Sequence, residues 1–149
     1  MAIATERQPI VVTHEGGVKF IAQIRSHQVV VDQPIRAGGD DSAPTPLELL
    51  SAALGSCVAL YVQQFCHVRG LPYKGMRVEI ETTAATNPNR IVRFVVHVRL
   101  PTDLPDQYRE MIERVARNCP VHHTLACGAL VDFDFPGACA TVLGSGSRL

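Results

Sequence analysis

Apolar and polar positions change rhythm several times along this chain. Two short runs over 9–13 and 18–24 are rich in Val, Ile and Phe, and His14, Glu15, Gly16 and Gly17 between them have the composition of a hairpin turn. Gln28, Val29, Val30, Val31 and Asp32 predict a third strand. From Pro34 to Pro46 the rhythm stops. Gly38, Gly39, Asp40, Asp41, Ser42 and Pro44 make this a loop, and one long enough to carry function.

The loop runs into a strong helix start. Thr45 is placed to cap, Pro46 to fill the first helical position and Glu48 to complete a capping box. Leu47, Leu50, Leu54, Val58, Tyr61, Val62 and Phe65 then repeat at helical spacing, while Ala52, Ala53, Gly55 and Ala59 occupy other faces. A helix that is apolar nearly all round is expected at the centre of the core. Ser51, Ser56, Gln63, Gln64 and His67 interrupt it, which argues for burial in protein over a membrane span. Arg69 and Gly70 mark its end, with Pro72 beyond.

The second half reads as two strands over 76–82 and 90–100, turned by Ala85, Thr86, Asn87, Pro88 and Asn89. An amphipathic helix is predicted over 105–118, capped by Asp103, with Tyr108, Met111, Ile112 and Val115 inward. Pro120 breaks it. A short helical piece over 121–127 and a last strand over 129–135 follow. Hairpin-linked strands separated by helices predict an α+β fold with a largely antiparallel sheet. The organisation is an N-terminal tail over 1–8, one domain over 9–135 and a Gly/Ser-rich, loose tail over 136–149.

Composition narrows the function. Apolar residues at 46% and charged residues at 19% describe a folded globular chain, and 149 residues suffice for one core. The 14 basic and 14 acidic side chains cancel, and no basic stripe points to nucleic acid. A chain without net charge is also freer to self-associate. The N-terminus lacks the pattern of a signal peptide, which predicts a cytoplasmic protein.

Five cysteines in a reducing compartment argue against a disulfide scaffold. Cys57 lies inside the long helix and Cys119 at the end of the second. By spacing alone each is either a small buried hydrophobe or half of a redox pair. Cys66 follows Cys57 by about two and a half turns and so faces the other side of the helix, as packing. Cys127 and Cys139 read as incidental. Cys119, His122, His123 and Cys127 match no common zinc spacing, so no metal and no other cofactor is expected.

Two stretches carry a resemblance. Thr45 through Cys57, Thr-Pro-Leu-Glu-Leu-Leu-Ser-Ala-Ala-Leu-Gly-Ser-Cys, is similar to the first signature of the OsmC/Ohr family. Arg117 through Leu125, Arg-Asn-Cys-Pro-Val-His-His-Thr-Leu, is similar to the second. The order of elements fits that family from about residue 10 to residue 135. The resemblance implies an intertwined homodimer with two active sites at the subunit interface. It also implies a metal-free peroxidase that reduces organic hydroperoxides, with Cys57 as the peroxidatic cysteine, Cys119 as the resolving one, and a dithiol as reductant. No membrane or nucleic-acid partner is implied.

A reactive thiol needs a cation nearby. The family uses an arginine held by a glutamate. Glu48 occupies the matching place, where it also serves as half of the capping box. Arg36, in the loop before the first signature, is the expected arginine, with Arg25 as its competitor; either reads equally as a solvated charge. The first hairpin, where organic-hydroperoxide-type members carry an arginine, has none here. Two other readings follow: a ligand-binding or electrophile-scavenging protein on the same scaffold, and a purely structural or partner-binding domain.

Overall fold

The capping signal at Thr45 sets the longest element of the fold. In the computed structural model, which describes residues 8–135, helix α1 runs from Pro46 to Val68. The Thr45 hydroxyl accepts from the Glu48 backbone N–H at 3.3 Å, and the Glu48 carboxylate accepts from the Thr45 N–H at 2.8 Å. Each bond satisfies an amide that the first helical turn leaves without a partner. At the other end the Gly70 backbone turns left-handed (φ 64°), and the Leu71 N–H returns to the Cys66 carbonyl at 2.9 Å. The tails expected over 1–8 and 136–149, save residue 8, and Cys139 lie outside the described residues.

Three strands precede α1: β1 (Val11–Gly16), β2 (Lys19–Ile24) and β3 (His27–Val31), an antiparallel sheet in chain order. Two strands follow it, β4 (Arg77–Thr86) and β5 (Asn89–Arg99), paired antiparallel from Arg77 opposite Arg99 to Thr86 opposite Asn89. Helix α2 (Asp106–Arg117) and helix α3 (Pro120–Cys127) complete the described chain. This is the expected α+β architecture, with antiparallel sheets and a long central helix.

The core forms where α1 lies on β4–β5 and α2 crosses it. Leu54, Val58, Val62, Phe65 and Cys66 of α1 are buried with Ile112 of α2 and with Cys119. Val78, Phe94, Val96 and Val98 of the sheet pack against them, as do Tyr108, Met111 and Val115 of α2. Each large side chain buried this way stabilises the fold by about 1.5–3 kcal/mol. Gly55 permits the close approach, since a Cβ there would stand 3.2 Å from Cγ1 of Ile80. By length and apolarity α1 passes as a membrane-spanning helix, yet the fold uses it as the core helix.

Two expectations fail. Asp103 does not cap α2. Pro105 is the N-cap, without a side-chain bond, and the helix begins beyond the reach of Asp103, which accepts from Arg109 Nη2 at 3.4 Å instead. The segment 129–135 is not a strand here. It alternates as a strand should, but β structure needs an adjacent edge for its N–H and C=O groups, and among the described residues none pairs with it. Leu130 is left 96% exposed and Phe133 79%.

The loop before α1 is held by one buried carboxylate that the sequence did not single out. Asp32, 1% exposed, sits at the end of β3. Its Oδ1 accepts from the Gln33 N–H at 2.8 Å. Its Oδ2 accepts from the Asp40 N–H at 3.2 Å, the Ser42 N–H at 3.0 Å and the Ser42 hydroxyl at 2.7 Å. Chiefly the Ser42 hydroxyl, and then the amides of Ser42 and Gln33, hold its pKa down at about 2. The wrap is tight enough that a Cβ on Gly39 would overlap the Gln33 carbonyl.

Candidate functional site

Cys57 and Cys119 come from distant parts of the chain and meet where α1 faces the corner between α2 and α3. Cys57 is half-buried on α1, one turn beyond Leu54 and beside Val58, both of which are anchored in the core. Its place on the helix follows from the phase set at Thr45. Cys119 is completely buried. Asn118 ends α2, Pro120 removes the amide that would continue it, and Cys119 becomes the extended N-cap of α3 (φ −70°, ψ 139°).

The Cys119 sulfur plays the part that a serine or aspartate oxygen usually plays at a helix start. It accepts from the His122 backbone N–H at 3.2 Å. Burial pushes the Cys119 thiol up above its ordinary pKa. The Cys57 thiol, close enough to exchange a hydrogen bond with it, adds to that rise, while the amides of His122 and Val121 work against it. Both cysteines are free thiols. A buried, protonated thiol touching a half-exposed one is an arrangement able to pass through a sulfenic acid to a disulfide.

His122 is tied to the same corner. Its Nδ1 lies 2.6 Å from the Arg117 carbonyl oxygen. An oxygen of that kind only accepts, so Nδ1 carries the proton and donates. His123 projects outward beside it, with ring centroids 5.6 Å apart. Among the described residues no group of three or more His, Cys, Asp or Glu side chains gathers as a metal centre.

The other expected site residues stand apart from the thiols. Glu48 is exposed and spends Oε2 on Thr45, accepting from its amide at 2.8 Å and its hydroxyl at 2.9 Å. Those two bonds, the amide first, lower its pKa below the ordinary value. Arg36 is exposed on the 3-10 turn Ile35–Ala37 of the Asp32-bound loop. Arg25 sits at the β2–β3 turn in a left-handed conformation (φ 57°). Among the described residues no side-chain hydrogen bond or ion pair joins either arginine to Cys57 or Glu48. Cys66 is fully buried as packing, and Cys127 is exposed at the end of α3.

Beside the thiols lies an open groove of about 1250 Å³ between β5, α2 and α3. Leu54, Val58, Phe94 and Ile112 form its apolar floor, and Arg117 and His122 stand at its edge. Neither cysteine lines it. Its link to them is through Leu54 and Val58, which bracket Cys57, and through His122, which bonds Cys119.

With this geometry in view, comparison with known proteins is informative. A family model described as OsmC-like protein matches residues 39–134. That span starts within the Asp32-bound loop and includes both cysteines of the site. No curated protein sequence matches the chain. Among solved structures, a candidate osmotic-stress-induced and detoxification-response protein of Psychrobacter arcticus is similar at TM-score 0.74 and 20% identity, over 83% of this chain and 91% of that one. An OsmC-like protein of Mycoplasma pneumoniae superimposes at TM-score 0.69 and 18% identity, over 83% and 89%. An organic hydroperoxide resistance protein OsmC of Legionella pneumophila does so at TM-score 0.61 and 13% identity, over 81% and 91%. At such identities the likeness concerns the fold.

Proposed function

The chain belongs to the OsmC-like protein family, and from that premise we propose that it is a thiol-dependent peroxidase reducing organic hydroperoxides in defence against oxidative stress. One observation carries the reading: the free thiols of Cys57 and Cys119 side by side, one half-exposed and one buried. The name of the Legionella relative points to the same substrate class.

In this reading the Cys57 thiolate attacks the outer oxygen of the hydroperoxide. The O–O bond breaks, an S–O bond forms, and the alkoxide leaves and takes a proton to become the alcohol. The Cys119 thiolate then attacks the Cys57 sulfur, closing an S–S bond and expelling hydroxide, which leaves as water. An external dithiol returns both thiols. The protein acts in the reducing cytoplasm as a homodimer. A second copy covers the apolar surface left bare on β1–β3 and on 129–135. Across that dimer interface an arginine, Arg36 or Arg25, held by Glu48, comes to Cys57. That group supplies the positive charge a peroxidatic thiol requires.

Reduced full-length protein is expected to consume cumene hydroperoxide in the presence of a dithiol, and Cys57→Ser to abolish turnover. After one equivalent of peroxide, mass spectrometry should find a Cys57–Cys119 crosslink. Absence of turnover with every hydroperoxide tried overturns the proposal. A second reading, electrophile scavenging or ligand binding on the same scaffold, is favoured by one observation: the first hairpin, His14, Glu15, Gly16 and Gly17, carries no arginine. Alkylation of Cys57 by iodoacetamide with a midpoint near the ordinary thiol value of ~8.5 would select it.

A further inference from the structure

His122 makes two bonds that converge on one corner. The corner begins where α2 stops. The Arg117 carbonyl belongs to the last turn of α2 and has no helical amide ahead of it, because the chain leaves the helix at Asn118. Pro120 then removes another donor from the start of α3. The result is an orphan acceptor on one side of Cys119 and an N-cap sulfur between two helices. His122 answers both: its ring donates from Nδ1 to the Arg117 oxygen at 2.6 Å, and its backbone N–H donates to Cys119 Sγ at 3.2 Å.

These bonds close a loop through Arg117, Asn118, Cys119 and His122. The backbone alone supplies weaker restraint there: the Cys119 N–H reaches the Ala116 carbonyl at 3.3 Å, and the His123 N–H reaches the Cys119 carbonyl at 3.1 Å. Val121 anchors α3 against the core, so the ring bond sets the tilt of its first turn; without that bond the turn can tilt and carry the His122 amide away from the sulfur. The Cys119 side chain has little latitude to compensate, being fully buried.

We propose that His122 is a positioning residue for the resolving thiol: its ring pins the start of α3 to the end of α2, so that the His122 amide holds Cys119 Sγ in line with Cys57. The inference rests on the thiol-pair reading of the site. It assigns to His122 a duty in disulfide closure and none in the first attack on the peroxide. An amide aimed at the sulfur also favours its thiolate as the attack begins. Misplacement of a reacting atom by about 1 Å can slow a step on the order of a hundredfold, so the effect of the ring bond falls in a measurable range.

The test compares His122→Leu with His122→Asn in the full-length protein. The two side chains match closely in size, but only Asn keeps a donor near the position of Nδ1. His122→Ala replaces the Leu variant should that one not fold. Disulfide closure is driven first by diamide, whose N=N bond takes up the two electrons and two protons that the thiols release. Closure is read by acid quench and mass spectrometry. Loss of the donor is expected to slow Cys57–Cys119 closure about tenfold or more, and Asn to restore most of the rate. Under one equivalent of cumene hydroperoxide, dimedone should trap more Cys57 sulfenic acid in the Leu variant than in wild type or in the Asn variant. Closure at the wild-type rate without the donor, or failure of Asn to rescue, overturns the inference. Wild-type protein that closes with diamide yet ignores peroxide overturns the peroxidase reading instead and leaves the closure comparison standing.

Discussion

The two sheets of this molecule obey the same antiparallel rule and live in different surroundings. β4–β5 lies under α1, and its inner face of Val78, Ile80, Phe94, Val96 and Val98 turns toward the helix side chains. β1–β3 carries an apolar face as well, with Val12, Ala22 and Val29 in one cross-strand row and Phe20 and Val31 in the next. Yet none of its strand residues is buried, and its substantial packing is among its own strands. Patterning therefore specifies which face of a strand is apolar and leaves open what covers it. An apolar face left exposed in this way, with Val12 at 58% and Phe20 at 37%, marks a contact surface. The half with a core holds the thiols, and the half without one is the face to which the proposed second copy is assigned.

The largest expected effect separates the halves directly. Phe65→Ala empties a site inside the core and is expected to cost about 3–5 kcal/mol, whatever the protein concentration. Val12→Asp touches no core of the single chain, and Val12 is 58% exposed. Its cost should appear as lost dimer, with a melting temperature that depends on protein concentration. Denaturation at two concentrations, with light scattering for mass, checks both. A Val12→Asp protein of unchanged mass and stability would mean that the β1–β3 face stays uncovered in solution.

Between the halves stands the Asp32-bound loop, and it marks where legibility in the sequence ended. Helix α1 was readable to the residue because its signals are local: Thr45, Pro46 and Glu48 at one end, Gly70 at the other. The two cysteine signatures were readable for the same reason. Asp32 was not, because the atoms that make it important come from Gln33, Asp40 and Ser42 folding back onto it. A single acidic residue closing an apolar strand, followed by Gly38-Gly39-Asp40-Asp41-Ser42, was the available signal. The strand over 129–135 failed for a related reason, since pairing is a property of two edges. His122 stands three residues after Cys119 in the second signature, but its ring bond depends on where α2 stops.

Asp32 supplies the next prediction. Its carboxyl titrates at about 2, below the ordinary 3.8, so its bonds to the loop act fully above about pH 4 and are lost as the pH falls through 2. Limited acid proteolysis of 33–44 is expected to begin in that window while the α1 core stays protected. Asp32→Asn replaces one acceptor oxygen with an NH₂ that faces donors. The loop should then be cut at every pH, without an acid transition. A variant as resistant as wild type would show that the loop is held from elsewhere, by the Lys19–Asp40 pair at 3.3 Å or by a second copy.

The smallest effect is the most informative about Glu48. Thr45→Ala removes the cap hydroxyl and is expected to cost about 1 kcal/mol, a modest change beside the loss of Phe65. Glu48 is a different matter, because a cap and an arginine grip ask different things of it. The cap needs an acceptor oxygen at Oε2, which glutamine also provides. The grip needs a negative charge, which the lowered pKa keeps in place at neutral pH and which glutamine lacks. Glu48→Gln is therefore expected to leave the melting temperature where it was and to reduce peroxide turnover. Equal loss of both would assign Glu48 to the helix alone. Turnover unchanged with stability unchanged would mean that Cys57 draws its positive charge from an arginine that no carboxylate holds.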